Sequence, residues 1–304
     1  PSNWICWGCE LSLIGPIALT APEKARVALD VQRALEEDLG LGDVTAALLP
    51  DRPAVAELRC KSNAVIAGRP WFDACFLVLD PAIQIEWQVQ EGASVTAGSL
   101  ICRLRGRSRA LVSAERTALN FLQTLSATAT TTAQYVAALQ GMHTRVLDTR
   151  KTLPGLRLAQ KYAVRVGGGI NHRVGLFDAV MVKENHIAAA GSIAAVVTQA
   201  KALHPGLPII VEVESLQELL QAIDSRVDRV LLDEFDESEM CEAVTLTAGR
   251  VPLEVSGGVA LADVSRIGAT GVDFISVGSL TKHVQAVDLS LRVLPPPDRG
   301  MVSL

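Results

Sequence analysis

The sequence predicts an α/β protein with a small β-rich sandwich first and an α/β barrel second. Its 304 residues are enough for one large domain or for two. Hydrophobic residues make up 49% and aromatic residues only 4%, a composition that suits helices packed on buried parallel strands. Beyond Gly141, short apolar runs alternate with helical stretches, and this alternation is typical of parallel strands joined by helical crossovers.

The N-terminal segment, residues 1–21, is an apolar extension to which we assign no role. Its first twenty residues contain no Lys or Arg, whereas a signal peptide begins with positive charge, and Glu10 and Pro16 disfavour a spanning helix. Cys6 and Cys9 have the spacing of a metal-binding pair, but no second Cys or His pair follows at zinc-site distance. The six cysteines are scattered, which favours reduced thiols in a cytoplasmic protein.

The first domain, residues 22–126, is predicted to combine helices with several strands. The stretch VALDVQRALEEDLG has helical periodicity and ends at Gly40, a suitable C-cap. AVAELRCKSNAVIAGRP alternates like strands, and WFDACFLVLD is typical of an amphipathic helix. The stretch from Ile83 to Arg116 is strand-rich, and helical sequence returns at Ala114.

The turn EGASVTAG, between Glu91 and Gly98, is similar to the hairpins of lipoyl and biotinyl carrier domains. Those hairpins present a lysine for modification, and this sequence has no lysine between Lys61 and Lys151. The sequence therefore favours a structural sandwich here over a carrier domain.

The second domain, residues 127–304, carries the alternation that predicts a barrel. Helical sequence lies between most of its apolar runs, so successive strands are expected to be parallel. With six runs or slightly more, a barrel related to the (β/α)₈ type is favoured over an open sheet. The six runs are TRVLD, DAVMVK, PIIVEVE, RVLLDEF, PLEVSGG and DFISVG.

A basic cluster surrounds the glycine-rich turn at residues 167–169, although the chain has a formal net charge of −5. Between Arg145 and Lys183 there are eight Lys or Arg residues, opposed by only two aspartates. A solvated helix face is the ordinary explanation of a charge run. Because the chain is acidic overall, general nucleic-acid or anionic-membrane binding is disfavoured, and a pocket for a small anion is favoured. The turn lacks the GxxxxGK[ST] pattern of a nucleotide-binding Walker loop.

Polar or charged residues occur at the end of every apolar run. In α/β barrels the loops that follow the strands converge on one face, where the chemistry takes place. The early runs end in cations, the middle runs in carboxylates and the last two in glycines, which predicts a pocket with separate cationic, acidic and glycine-lined sides. The residues are Arg150 and Lys151 (first run), Lys183 (second), Glu212 (third), Asp233 (fourth), Ser256, Gly257 and Gly258 (fifth), and Gly278 and Ser279 (sixth).

Each side of this pocket suits a different chemical task. Glycine loops let backbone N–H groups approach a phosphate, and loops after the last strands commonly do so in these barrels. Glu212 and Asp233 lie on neighbouring predicted strands and suit Mg²⁺, a hard cation that is often shared with substrate phosphates. The cations of the early runs, together with Arg173, would neutralise anions on the opposite side.

The long segment DTRKTLPGLRLAQKYAVRVGGGINHRVGLFDAVMVKENHI closely resembles the quinolinate phosphoribosyltransferase family. SAERTALNFL, EVE, LLDEF, EVSGGV and ISVGSLT add to the resemblance, which runs from about Val27 to Leu289 in family order. EVSGGV is a mild departure, because many members have a small residue before the serine.

The resemblance implies an N-terminal α/β sandwich packed on an incomplete α/β barrel of about seven strands, with a C-terminal helix that could pack back on the first domain. It implies that quinolinate and 5-phosphoribosyl 1-diphosphate react to give nicotinate mononucleotide, diphosphate and CO₂ with Mg²⁺, in NAD biosynthesis. It also implies a homodimer, which could assemble further, whose active sites take an arginine from the partner subunit.

The resemblance also implies the site residues. Arg116 of SAERT, at the start of the predicted helix, would be the arginine supplied to the partner. Glu212 and Asp233 match metal and ribose positions, and with Lys151 and Lys183 they would be catalytic. The substrate-binding residues would be Arg116, Arg150, His172, Arg173, Ser256, Gly257, Gly258, Gly278 and Ser279.

Three alternatives remain open. A Schiff-base aldolase-type barrel could use Lys183 or Lys151, since a desolvated lysine near other cations can have a lowered pKa. A related phosphoribosyltransferase could act on another heteroaromatic acid. A non-catalytic sensor could bind dicarboxylates or sugar phosphates, although it would not need Glu212 and Asp233.

Overall fold

The computed structural model describes residues 18–295. Cys6, Cys9 and nearly all of the apolar extension lie outside the described residues. Within the described part of the chain, no helix is long and apolar enough to cross a membrane.

The first domain combines an antiparallel sheet with three long helices. Strand β5 lies between β1 and β3 and is antiparallel to both. Trp71, Phe72 and Phe76 of the second helix are fully buried in the core that the sheet and helices share. The elements are α1 (Ala21–Leu39), a 3-10 turn (Ala46–Leu48), β1 (Pro53–Cys60), β2 (Ala64–Val65), α2 (Arg69–Leu79), β3 (Gln84–Trp87), β4 (Ser94–Val95), β5 (Leu100–Arg107) and α3 (Ser108–Ala138).

Local sequence explains the two ends of α1. The Thr20 side chain accepts from the Glu23 N–H, and Glu23 accepts from the Thr20 N–H at 2.8 Å, so a capping box starts the helix. Gly40 ends it with φ +49°, a conformation that favours glycine, and the predicted C-cap is confirmed.

Helix α3 begins at Ser108, earlier than the predicted return of helical sequence at Ala114. We expected the strand-rich stretch to continue until Ala114, and this was wrong because Leu111 already follows the helical period of Ala114 and Ala118, and all three are fully buried. Arg116 therefore lies within the helix and not at its start.

The predicted domain boundary at residues 126/127 falls inside α3, so one continuous helix connects the two domains. Leu122 and Leu125 of this helix are buried in the first core, whereas Tyr135 is buried in the core of the second domain. Helix α3 therefore packs in the cores of both domains and is more than a linker between them.

The second domain contains a six-stranded parallel sheet, and all six predicted runs form its strands. Its strand order is β6-β11-β10-β9-β8-β7, so the chain-adjacent strands β6 and β7 are the two edges. Ile170 adds a single parallel bridge to Leu147 on the open edge of β6. This arrangement is an incomplete α/β barrel. Its elements are β6 (Arg145–Leu147), α4 (Arg157–Val166), β7 (Val180–Val182), α5 (Glu184–Ala190), α6 (Ile193–Leu203), β8 (Ile209–Val213), α7 (Leu216–Asp224), β9 (Arg229–Leu232), α8 (Glu237–Thr247), β10 (Leu253–Val255), α9 (Val264–Ala269), β11 (Phe274–Ser276) and α10 (Ser279–Lys282).

The two faces of the parallel sheet differ because side chains alternate along a strand. Val211, Val230 and Val255 point to the face that packs against helices α6 to α9. The opposite, inner face contains a small apolar cluster that includes Ile210 and Leu231. By the same alternation this inner face also carries the charged residues described below.

The last described element is strand β12 (Leu289–Val293), which adds to the edge of the first domain's sheet beside β1. Its register runs from Ala56 opposite Val293 to Cys60 opposite Leu289. We expected a C-terminal helix to pack back on the first domain. The returning element is a strand, because LSLRV alternates and pairs with an open sheet edge.

Candidate active site

The predicted site residues lie at the carboxyl ends of the parallel strands. Lys183 directly follows β7, Glu212 is the penultimate residue of β8, and Asp233 directly follows β9. Arg150 and Lys151 come after β6, while residues 256–258 and 278–279 come after β10 and β11. Because all six strands are parallel, these residues share one edge of the sheet.

Lys183 and Glu212 form an ion pair across the neighbouring strands β7 and β8. The Lys183 Nζ atom lies 2.9 Å from Oε1 and 2.7 Å from Oε2 of Glu212. The Lys183 side chain is 43% exposed, so solvent or a ligand can reach the pair. A bound anion could therefore replace Glu212 as the partner of Lys183, and a bound cation could replace Lys183 as the partner of Glu212.

The loop after β10 has an open backbone next to Asp233. Gly257 and Gly258 have φ values of +104° and +55°, which side-chain-bearing residues rarely adopt. A Cβ atom at Gly257 would lie 3.7 Å from Asp233 Oδ1, so the carboxylate is close to this loop. Glycine here leaves the N–H groups accessible to a phosphate.

The loops that follow β6 and β11 are in contact. A Cβ at Gly278 would lie 3.0 Å from Lys151 Cδ, so any larger residue would press on the lysine stem. The Thr281 hydroxyl donates to the Lys151 carbonyl at 2.8 Å, and Ser279 Oγ lies 3.3 Å from the Tyr135 hydroxyl. The structure thus places the predicted cation Lys151 beside the predicted phosphate loop at Gly278–Ser279.

Arg173 is half-buried next to another cation. Its guanidinium donates to the Ala179 carbonyl at 3.4 Å, a long contact, and to Met181 Sδ at 3.5 Å, an ordinary distance for a hydrogen bond to sulfur. Burial lowers the pKa of Arg173, and the nearby charge of Arg150 lowers it further, while Asp178 opposes the change. Two adjacent cations with weak partners favour the binding of an anion.

His172, which we expected to bind substrate, is 8% exposed, and among the described residues its buried Nε2 atom has no hydrogen-bond partner. Its N–H donates to Asp148 Oδ1 at 2.8 Å, and its carbonyl accepts from Lys161 Nζ at 2.9 Å. Its Nδ1 atom accepts from the Arg173 N–H at 2.7 Å, and its Nε2 atom faces Glu254 Oε2 at 3.3 Å.

Two buried carboxylates near the site are not among the predicted site residues. Asp148 is fully buried, forms an ion pair with Lys161 and accepts from Asn171 Nδ2 at 2.6 Å. Glu254 is also fully buried and accepts from Arg229 Nη1 at 2.8 Å and from the Ser276 hydroxyl. Glu254 had a sequence signal, because it is the charged residue inside the apolar run PLEVSGG.

The environment of Glu254 keeps it ionised. Burial alone would raise its pKa, but His172 and Arg229, with the hydroxyl of Ser276, lower the pKa to about 2. The Nδ1 atom of His172 accepts a hydrogen bond from the Arg173 N–H, and its Nε2 atom lies 3.3 Å from Glu254 Oε2.

Several cations of the basic cluster serve the fold and not the pocket. Lys161 pairs with Asp148, and Arg165 makes two hydrogen bonds to Glu23 of α1, at 2.7 and 2.9 Å. Arg157 donates to three groups of the loops around it, including the Val174 carbonyl at 3.1 Å.

Arg116 is exposed on α3. Among residues 18–295, no hydrogen bond or ion pair joins it to the strand-end loops of its own chain.

Two family models together match most of the chain. The model described as the N-terminal domain of quinolinate phosphoribosyl transferase matches residues 43–126, and that described as the C-terminal domain matches residues 128–292. The chain belongs to the quinolinate phosphoribosyltransferase family. The predicted family resemblance is confirmed.

Named relatives agree with this assignment. The chain is 43% identical to a Synechocystis protein named probable nicotinate-nucleotide pyrophosphorylase (carboxylating), over 87% of this chain and 91% of that protein. It is 39% identical to a Nicotiana tabacum protein named quinolinate phosphoribosyltransferase (decarboxylating) 2a, mitochondrial, over 86% of this chain and 81% of that protein.

Solved structures support the predicted fold. The structure of the nicotinate-nucleotide pyrophosphorylase from Francisella tularensis superposes with a TM-score of 0.88 at 45% identity. The match covers 93% of this chain and all of that one, so both domains of the fold are shared.

Proposed function

We propose that this chain transfers the phosphoribosyl group of 5-phosphoribosyl 1-diphosphate to quinolinate. The products are nicotinate mononucleotide, diphosphate and CO₂, in a step of NAD biosynthesis. The observation that carries the proposal is the convergence of cations, carboxylates and glycine loops at one sheet edge in a member of this family. A cytoplasmic location is part of the proposal and is supported by the free thiols of Cys60, Cys75, Cys102 and Cys241.

The cationic side of the site would hold quinolinate. Arg173 and Arg150 lie close enough for one charge to lower the pKa of the other, and a carboxylate between them would remove that repulsion. A planar guanidinium also matches the two oxygens of a carboxylate. His172 belongs to this side through its backbone link to Arg173.

The glycine loops would hold the phosphates of the second substrate. Residues 256–258 and 278–279 end neighbouring strands, and the first loop opens its backbone through positive φ values. Lys151 is placed beside Gly278, where its ammonium can neutralise a phosphate oxygen.

Magnesium fits this site only as a shared ion. Among the described residues, no group of three or more His, Cys, Asp or Glu side chains is arranged to hold a metal. Glu212 already faces Lys183, so Asp233 and Glu212 would bind Mg²⁺ together with substrate oxygens, as Mg²⁺ commonly does. When bound, the ion would stabilise the charge of the departing diphosphate.

The protein's own residues would act through position and charge. Lys151 and Lys183 would stabilise the anionic groups near the reacting centre, and Asp233 and Glu212 would stabilise positive charge on the ribose. Attack by the pyridine nitrogen on the ribosyl carbon makes a pyridinium as diphosphate leaves. The pyridinium charge stabilises the carbanion that forms when the adjacent carboxylate leaves as CO₂, and this carbon then takes up a proton from solvent. No protein nucleophile is required.

A product assay tests the proposal directly. The protein is incubated with quinolinate, 5-phosphoribosyl 1-diphosphate and Mg²⁺, and nicotinate mononucleotide is measured. Nicotinate should be a much poorer substrate, because loss of one carboxylate leaves a desolvated cation unpaired at a cost of about 2–5 kcal/mol. Equal kcat/KM for the two acids would favour a related enzyme for another heteroaromatic acid.

Two further controls separate the alternatives. Asp233→Ala and Glu212→Ala should each weaken Mg²⁺-dependent turnover and leave quinolinate binding largely intact, whereas activity that survives EDTA would assign these carboxylates another purpose. Borohydride trapping of a carbonyl substrate on Lys183 or Lys151 would instead support Schiff-base chemistry.

The homodimer is also part of the proposal, with Arg116 acting in the partner's site. Exposure of Arg116 without a bond to the strand-end loops of its own described chain supports it. Arg116→Ala and Lys151→Ala should each be nearly inactive, and mixing them should restore about a quarter of wild-type activity, since half of randomly exchanged dimers contain one complete site. No recovery after verified subunit exchange would mean that Arg116 serves its own chain or the fold.

A further inference from the structure

The ion pair of Lys183 and Glu212 follows from the register of two parallel strands. Val182 of β7 pairs with Val211 of β8, so the next residues along the two strands, Lys183 and Glu212, lie side by side at the carboxyl edge. The Lys183 Nζ atom lies 2.9 and 2.7 Å from the two carboxylate oxygens. Within residues 18–295 the Glu212 side chain has no other hydrogen-bond partner. Both oxygens of this carboxylate therefore face one ammonium of the same chain.

Asp233, the second carboxylate of the predicted metal pair, has no such partner. Glu212 pairs with Leu231, and Asp233 lies two residues further along, so the two carboxylates are on the same face of the sheet. The Asp233 N–H donates to the Val213 carbonyl at 3.0 Å, so the strand pairing continues to this residue. In the described part of the chain the Asp233 carboxylate forms no hydrogen bond or ion pair. One of the two carboxylates is thus open to a cation, and the other is occupied by Lys183.

Lys183 also lies beside the predicted anion site. The guanidinium of Arg173 donates to Met181 Sδ at 3.5 Å, and Met181 is two residues before Lys183 along β7. Alternation puts Met181 and Lys183 on the same face, so an anion held by Arg173 is within reach of the flexible lysine stem. The Lys183 side chain is 43% exposed, which leaves it room to turn. The lysine therefore lies between a site for an anion and a site for a cation.

The charges make these two sites depend on each other. A cation that approaches Glu212 is repelled by the ammonium only a few ångströms away, and the repulsion is strong because the Glu212 side chain is 11% exposed. An anion at Arg173 must compete with Glu212 for the same ammonium. Both conflicts disappear when the anion takes Lys183 and the cation takes Glu212.

We propose that Lys183 couples anion and metal binding by exchanging partners. A dicarboxylate bound beside Arg173 draws Lys183 away from Glu212, and Glu212 then joins Asp233 in binding a divalent cation. Each ligand strengthens the binding of the other, by the same factor in both directions. The proposal rests on the proposed function, in which quinolinate is the dicarboxylate and Mg²⁺ is the cation.

Binding measurements without turnover test the coupling. The cation probe is Mn²⁺, which takes the same oxygen ligands as Mg²⁺ and whose free concentration is measured by electron paramagnetic resonance. The anion probe is phthalate, which has the two adjacent carboxylates of quinolinate but no ring nitrogen to react with the ribose or to chelate the metal. Saturating phthalate should lower the Kd for Mn²⁺ about 5-fold or more, after correction for Mn²⁺ bound by phthalate in solution. Saturating Mn²⁺ should lower the Kd for phthalate, measured by calorimetry, by the same factor.

Lys183→Met distinguishes partner exchange from simple attraction between the bound anion and the bound cation. Without the ammonium, Mn²⁺ should bind the phthalate-free protein about 5-fold more tightly than it binds the wild type. Phthalate should then change the Kd for Mn²⁺ by less than about 2-fold. Simple attraction would instead survive this substitution.

Lys151→Met is the matched control, because it removes the same charge from the same sheet edge. Lys151 lies beside Gly278 and is not bound to Glu212. The variant should keep the coupling of the wild type and should change the Kd for Mn²⁺ in the phthalate-free protein by less than about 2-fold. An equal gain in Mn²⁺ affinity in both lysine variants would show a general effect of charge and would overturn the proposal.

The remaining outcomes separate the coupling from the proposed function. A wild-type Kd for Mn²⁺ that phthalate does not change, or full coupling in Lys183→Met, would overturn the coupling even in a protein that converts quinolinate. If the coupling is found but the wild type makes no nicotinate mononucleotide, the proposed reaction fails and the exchange of partners stands.

Discussion

Two lysine–carboxylate pairs at the same end of the barrel differ sharply in their surroundings. Lys161 and Asp148 are 1% and 0% exposed, and further protein donors bind the carboxylate. Lys183 and Glu212 are 43% and 11% exposed and bind mainly each other. The same chemical pair thus fixes the backbone in one place and remains free to exchange partners in the other.

Burial explains the difference. It raises the pKa of Asp148 and lowers that of Lys161, because both charged forms lose hydration, while their mutual attraction and hydrogen bonds oppose the change. Such a pair is strongly interdependent, since removal of one member leaves the other without compensation. The exposed pair keeps water as an alternative partner, so its members can turn to substrate or metal.

The largest expected effect comes from breaking the buried pair. Lys161→Met should lower the free energy of unfolding by about 3–5 kcal/mol, because Asp148 remains buried without its cation. Urea denaturation measures the loss. Adding Asp148→Asn, which keeps an acceptor for the His172 N–H, should restore part of the stability; a double variant less stable than the single one would contradict this explanation.

The exposed pair of Lys183 and Glu212 should show the reverse pattern, a large loss of turnover and a small loss of stability. Lys183→Met should reduce turnover about 100-fold, as expected for loss of one preorganised charge at the reacting centre, and should change the free energy of unfolding by less than about 1 kcal/mol. Steady-state kinetics and urea denaturation of the same preparation check both numbers. A stability loss as large as that of Lys161→Met would remove the distinction between the pairs.

The third effect, spread over several pH units, is the pH dependence of stability that Glu254 contributes. Its pKa is lowered from 4.5 to about 2 in the folded protein, so its stabilisation is complete above pH 4.5 and is lost as the pH falls towards 2. The stability difference between wild type and Glu254→Gln should therefore shrink over this window, with a slope of at most about 1.4 kcal/mol per pH unit. A difference that is constant with pH would mean that Glu254 is not held as an anion.

Much of the site could be predicted because strand ends are visible in the sequence. Apolar runs followed by charged or glycine residues placed Lys183, Glu212 and Asp233 correctly at one edge. Glu212 and Glu254 both pair with Leu231, so their side chains lie on the same face of the sheet. A search for charged residues inside apolar runs would have found Glu254 too.

The structural partners of the other cations could not be predicted. The position after an apolar run separates Lys183 from Lys161, but no local signal pairs Lys161 with Asp148. Helix α4 carries Lys161 and is buried on most of its surface, because it packs against α1 and α3 of the first domain. That packing depends on contacts between distant parts of the chain, as does the pairing of Arg165 with Glu23.

The predicted beginning of α3 and the predicted type of the last described element were both wrong. Ser108 to Ser113 could extend either a strand or a helix, and burial on the α3 side decides for the helix. LSLRV alternates as a strand does, but its pairing with the edge of β1 depends on a distant part of the chain, and no short sequence window contains that information.

The position of β12 affects how the chain folds while it is being made on the ribosome. Strand β1 is made early, yet its outer neighbour is residues 289–293, so the first sheet cannot be completed until nearly the whole chain has left the ribosome. Until then β1 presents unsatisfied backbone groups along an edge that contains the buried side chains of Ala56 and Leu58, a surface on which other nascent chains can pair. Chains interrupted before Leu289 keep this edge open permanently, and they should be captured by chaperones or aggregate even when the barrel itself is complete.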